Sequence, residues 1–213
     1  SQFSNEIQKG INKLNKIYPD LKPKNTYFEI GILRTNGTII DDMALIGSEV
    51  ALTDKSVVTS EFDGRYPHLR NYFDTDPIKN VVFLNVHEYV HTQQKTTLGN
   101  TVLAQSVLEG VAEFLAETAL NKKSPNTQIE FGYKNEHQIK TAFEKEMFSP
   151  FLGNWIWNNP NNQFGMRDLA YFVGYAICKK YYDENSDKKT VVKEIIELDY
   201  NNENELVKFV EKT

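Results

Sequence analysis

The 213-residue chain has a single cysteine, Cys178, which excludes an intramolecular disulfide and any cysteine-based metal cluster. Long hydrophobic runs are missing too. The apolar stretch Leu169–Cys178 falls well short of the roughly 18 residues a membrane-spanning helix needs, so no transmembrane segment is expected. Positive charge is scarce: 24 Lys and Arg against 29 Asp and Glu leave a net charge of −5, which argues against nucleic acid as a partner. The chain begins at Ser1, with neither an initiator Met nor a basic-then-apolar leader. We read this as a mature exported protein whose signal has been removed, and expect an extracytoplasmic location, periplasmic or surface-exposed. Against these absences stand 13 Phe, 11 Tyr and 2 Trp, too many for a disordered chain, and a length sufficient to bury a core without staples.

Apolar positions then give the organisation. Ile7, Ile11, Leu14, Ile17 and Tyr18 recur at three- and four-residue spacing, an amphipathic helix stopped by Pro19. Thr26–Leu33 reads as a strand followed by a turn at Asn36-Gly37, and Thr38–Ile40 and Ala44–Leu52 as further extended segments. A loop-rich stretch runs from Thr53 to Pro77. Helices are expected over Val81–Gln94, Thr101–Asn121, Glu136–Met147 and Arg167–Tyr182, with shorter ones from Thr190 and Glu203. The segment Lys122–Lys134, and the Asn-rich stretch that follows Trp155 and Trp157, read as loops. That second loop could wall a cleft or simply pack. With no repeat and no long linker, residues 1–213 read as one α+β domain: a small N-terminal antiparallel sheet, then a mainly helical remainder.

The informative motif is His87-Glu88-Tyr89-Val90-His91, an HExxH. Residues four apart on a helix lie one above the other, so two imidazoles can converge on one metal while Glu88 reaches a water rather than the ion. With only four histidines available, chance produces this pattern in under about 1% of such chains. A catalytic zinc takes three protein ligands and keeps one position open. Candidates for the third are His68, His137 and the carboxylates. Glu109 stands 18 positions beyond His91 on the next helix, amid Val107, Leu108 and Val111. A buried carboxylate is costly unless it is paired or bound to metal, so Glu109 is read as the third ligand. Small Gly110 and Ala112 would let the two helices approach. Glu113, one turn on, can accept the free ring N–H of His87 or His91 and orient it. Glu117, a further turn on, reads as a solvated or helix-ending charge. No motif identifies a donor for the oxyanion of hydrolysis. Tyr171 and Tyr175, on one face of the late helix beside Gly174, are candidates, and ordinary core aromatics are the competing reading. His137 reads as a surface histidine.

HExxH followed by Glu109-Gly110-Val111-Ala112-Glu113 resembles the gluzincin metallopeptidases, in which the first Glu of the second motif is the third zinc ligand. From about Tyr27 to Leu198 the chain is similar to an uncharacterised bacterial group of predicted zinc-dependent proteases. The shared stretches include IGILRTNGTI, LIGSEVAL, HEYVHTQQ, TVLAQSVLEGVAEFLAE and NWIWNN. A weaker similarity runs to gliding-motility lipoproteins. The resemblance implies a zincin-like fold, in which a sheet edge holds peptide above the HExxH helix. The His91–Glu109 spacing is one residue shorter than in the aminopeptidase branch, so that branch's amino-terminal specificity is not implied. The resulting expectation is a zinc metallopeptidase acting on peptide or protein, with zinc on His87, His91 and Glu109 and with Glu88 as general base. The alternative is a non-catalytic, zinc-containing peptide-binding or scaffold protein, which would share the ligands but have no use for Glu88.

Overall fold

A computed structural model describes residues 2–61, 64 and 66–213. Helix α1 spans Gln2–Ile17 and is followed by strands β1 (Thr26–Glu29), β2 (Gly37–Ile40) and β3 (Met43–Gly47). Two short helices, α2 (Ser48–Ala51) and α3 (Pro67–Phe73), lead to α4 (Val81–His91) and the long α5 (Val102–Leu120). The remainder is α6 (Thr127–Lys134), α7 (Glu136–Glu146), α8 (Ala170–Glu184), α9 (Lys188–Glu197) and α10 (Glu203–Val210). The architecture is α+β and mostly helical. No helix among the described residues is long and apolar enough to cross a membrane.

The expected antiparallel sheet is instead mixed. Strand order is β1-β3-β2, with β1 parallel to β3 (Thr26 opposite Ala44) and β2 antiparallel to it (Thr38 opposite Leu45). Burial explains the order. Ala44 and Ile46 of β3 are fully buried, so the strand with the most enclosed side chains takes the centre, while half-exposed β1 and β2 form the edges. The hairpin turn is at Asp41-Asp42, where Asp41 takes the left-handed conformation (φ 55°) that Asp tolerates. Asn36-Gly37 opens β2 instead of making that turn.

Two expected strands end early. Beyond Glu29, Ile30 and Ile32 are 88% and 85% exposed, and Glu49 Oε1 accepts the backbone N–H groups of Gly31 (2.7 Å) and Leu33 (3.1 Å). With those donors bound to a side chain and Leu33 left-handed, the strand cannot continue. Similarly, β3 gives way to α2 at Gly47, where any side chain would collide with the Thr35 carbonyl. Helix α6 was expected to be loop: its sequence is polar, and only Ile129 and Gly132 are buried, with Gly132 against the Phe172 ring.

Helix α5 is buried along almost its whole length and forms the axis of the helical part. Its start is capped by Thr101, whose hydroxyl accepts the Ala104 N–H at 3.2 Å, and it ends at left-handed Asn121. It packs on α8 and on α4. At the α8 crossing, Gly110 and Gly174 bring two backbones into contact, since a Cβ on either would overlap the other helix. The small residue expected to admit α4 thus admits α8. Helix α4 in turn supports the sheet. Tyr89 Oη accepts the Lys24 N–H at 2.8 Å, and the Gln93 amide pairs with both backbone groups of Lys22 (2.8 and 3.1 Å). These bonds hold the run into β1 on the back of the HExxH helix.

Candidate metal centre

His87 and His91 are one turn apart on α4, and Glu109 and Glu113 one turn apart on α5. Antiparallel packing of the two helices brings His87, His91 and Glu109 together as a buried group that could hold a metal ion, their ligand atoms all within 4.8 Å of one another. His91 Nε2 lies 3.1 Å from His87 Nε2 and 3.2 Å from Glu109 Oε2, and His87 Nε2 lies 3.4 Å from that same oxygen. Atoms bonded at about 2.0–2.1 Å to one tetrahedral ion stand about 3.4 Å apart, so the triangle already has the required size.

Each ligand is aimed by a dedicated partner. His87 Nδ1 donates to Glu113 Oε2 at 3.0 Å. His91 Nδ1 donates to Gln94 Oε1 at 2.6 Å, and Gln94 is held in that sense because its Nε2 donates to the Leu108 carbonyl and to Tyr200 Oη, each at 3.0 Å. Glu109 Oε1 accepts from Gln105 Nε2 at 2.9 Å, and Gln105 Oε1 is occupied by the Gly99 N–H at 2.7 Å. These bonds engage the outer polar atom of each candidate ligand and leave the two imidazole Nε2 atoms and a carboxylate oxygen facing one point. Such a convergence calls for a cation between the donors, a proton or a metal ion, and two imidazoles with one carboxylate suit a metal.

The electrostatics agree. Burial alone would lower the His87 pKa, but the carboxylates of Glu109, Glu113 and Glu88 outweigh it and raise the imidazole to about 10. Burial likewise pushes Glu109 up, yet the imidazoles of His91 and His87 hold it well below the usual carboxylate range. The pocket favours positive charge.

Glu88 is buried beside this group, and its carboxylate makes no hydrogen bond among the described residues. Burial raises its pKa, the two imidazoles oppose the shift, and Glu109 adds to it. Its carboxylate lies against Gly37, where any side chain would overlap it. A side chain on this first residue of edge strand β2 would have to displace the carboxylate. On the other side, a cavity of about 480 Å³ lined by His91, Thr92, Lys95, Thr96 and Ile39 reaches from the β2–β3 turn to the second histidine.

The two tyrosines part company. The Tyr171 ring is 6.1 Å from that of His87, and burial, with the carboxylates of Glu109 and Glu88, lifts its pKa well above the ordinary value. The phenol stays protonated, and its hydroxyl has no partner among the described residues. Tyr175 Oη instead donates to Glu117 at 2.7 Å, and its ring packs edge-on against Phe114. Glu117 is thus no solvated charge: it also accepts the Ser124 N–H at 2.7 Å. Ser124 Oγ donates to Glu113, extending the His87 chain outward by one residue. His137 is exposed on α7, and the side chain of His68 lies outside the described residues. The sequence reading missed Gln94, Gln105, Ser124 and Gly37. Gln94, three positions after His91, and Gln105, four before Glu109, stand at helical spacing from the ligands they hold, which was the available signal.

No family model, curated protein or solved structure matches the chain. The functional reading rests on the geometry of the centre itself.

Proposed function

We propose that the protein is a zinc metallopeptidase of gluzincin type with a zincin-like fold. One observation carries the reading. Three buried ligand atoms converge with their outer atoms tied off, and a further buried carboxylate, that of Glu88, stands beside them with no hydrogen-bond partner among the described residues. A structural site would close with a fourth ligand and gain nothing from a free carboxylate, whereas two His, one Glu and an open position are a hydrolytic zinc set. A bound zinc ion supplies Lewis acidity that activates water and polarises a carbonyl.

The protein's own groups do the rest. Glu88, its pKa raised by burial, takes a proton from the attacking water and delivers it to the leaving amine. Tyr171, protonated and unpartnered next to His87, donates to the developing oxyanion. Edge strand β2, paired only to β3 among the described residues, has a free side on which an extended peptide can lie beside Glu88. Tyr175, bound to Glu117, positions the α8–α5 contact and takes no part in the reaction.

The test uses protein reconstituted with zinc and a mixed peptide library read by mass spectrometry. Glu88→Gln should keep one zinc per chain and lose cleavage by about 10²–10⁴-fold. Equal cleavage by both proteins removes Glu88 as the base. A zinc-loaded wild type that binds peptides without cutting them makes the protein a binding scaffold.

A further inference from the structure

A second concave feature lies on the loop joining the Trp155 region to α8. The groove has a volume of about 850 Å³ and is lined by Trp157, Asn159, Asn161, Gln163, Phe164 and Arg167 among others. The two tryptophans expected either to wall a cleft or to pack do one each. Trp155 is buried, stacked edge-on with Phe143 (4.9 Å between centroids), with its N–H on Glu146 at 3.1 Å. Trp157 is 59% exposed, has no ring partner among the described residues, and takes a left-handed backbone (φ 54°) that is uncommon for a bulky side chain. Strain that holds a large aromatic out of the core is a reason to look for what covers it.

The polar lining identifies the ligand class. Its charges are offset: Glu146 accepts from Asn154 and Trp155, and Arg167, the one cation among the described residues of the lining, is paired with Asp168 through Nε at 2.6 Å. Asn158 and Asn162 are used inside the loop, donating to the Asn154 and Met166 carbonyls. The side-chain amides of Asn161 and Gln163 and the Nδ2 of Asn159 are left without a partner among the described residues. Neutral amides, Asn161 and Gln163 with a donor and an acceptor in one plane and Asn159 with a donor, do not select phosphate or carboxylate. They match vicinal hydroxyl groups, and the open indole face matches the C–H face of a pyranose ring. We propose that this groove is a saccharide-binding site, distinct from the metal centre and independent of whether that centre is catalytic.

The experiment is calorimetric titration of the whole chain, with and without bound metal, with cellohexaose, chitohexaose, xylohexaose, mannohexaose and maltohexaose. At least one hexasaccharide should bind saturably, and Trp157→Ala should weaken that binding about tenfold or more. Trp157→Phe should recover part of the loss, and Asn161→Ala should weaken binding with Trp157 intact. Metal content and circular dichroism should be unchanged in all three, because none touches the α4–α5 centre. No saturable binding of any of the five up to about 10 mM overturns the proposal. So does equal binding by Trp157→Ala.

Discussion

At the scale of single residues, the two histidines of the proposed zinc site differ in what holds them. His87 leans on a carboxylate, Glu113, and His91 on an amide, Gln94. Both bonds fix tautomer and ring angle, and the carboxylate also places a negative charge behind the His87 ring. Glu113→Ala should therefore weaken zinc binding by about 10–100-fold in a chelator competition without abolishing the site. Unchanged affinity would show that the Glu113 bond does not support His87. Ser124→Ala, one bond further out, should cost less than Glu113→Ala in the same assay. Gly37 offers a contrasting case. Gly37→Ala puts a methyl group where the Glu88 carboxylate sits, so activity should fall while zinc content stays at one per chain. Loss of zinc in that variant would mean that β2 supports the ligands and not only the base.

Among elements, the close approach of α5 and α8 has the clearest physical consequence. Gly110 and Gly174 meet backbone to backbone, with Gly174 also against the Ser106 carbonyl. A methyl group there has no flexible side chain to displace, so the helices themselves must separate. Overpacking of this kind costs about 1–3 kcal/mol or more. For a chain of this length each kcal/mol shifts the melting temperature by about 2–4 °C, so Gly174→Ala should lower it by roughly 2–12 °C. The same separation should move Tyr171 away from His87, since both tyrosines ride on α8. A variant that melts like wild type would show that the two helices are not in contact. Helix α4 is constrained from its other side by Tyr89 and Gln93. The HExxH helix thus carries ligands on one face and clamps the approach to the sheet on another.

For the molecule as a whole, the candidate metal centre sits where the two most buried helices meet, enclosed by a core that runs from Leu14 of α1 to Phe209 of α10. That core is built of apolar side chains and includes none of the three candidate ligands, so removal of a bound metal should loosen the protein without unfolding it, unlike a small domain built around zinc. At a free zinc concentration 1,000-fold above its Kd, binding to the folded chain alone contributes about 4 kcal/mol. Chelation should then lower the melting temperature by about 8–16 °C while the helical circular dichroism signal persists at 25 °C. Collapse of that signal on chelation would mean that the ion holds the helices together and the apolar core is not sufficient.

The amino-acid sequence by itself determined the helices with strong apolar periodicity and the His and Glu side chains on them that could hold a metal ion. His87 and His91 at four-residue spacing must share a face of any helix, and an acidic pair set among Val107, Leu108 and Val111 must be buried with them. The order of the strands was not legible, because pairing depends on which strand finds cover on both sides, and β3 found it. Nor was the choice between two tyrosines on one helical face: Tyr171 faces His87 and Tyr175 faces Glu117 because of where Gly110 lets α8 cross α5. The supports Gln94, Gln105 and Ser124 escaped for a related reason. Amides and hydroxyls look alike along a chain, and only the packed structure decides which of them ends within 3 Å of a ligand.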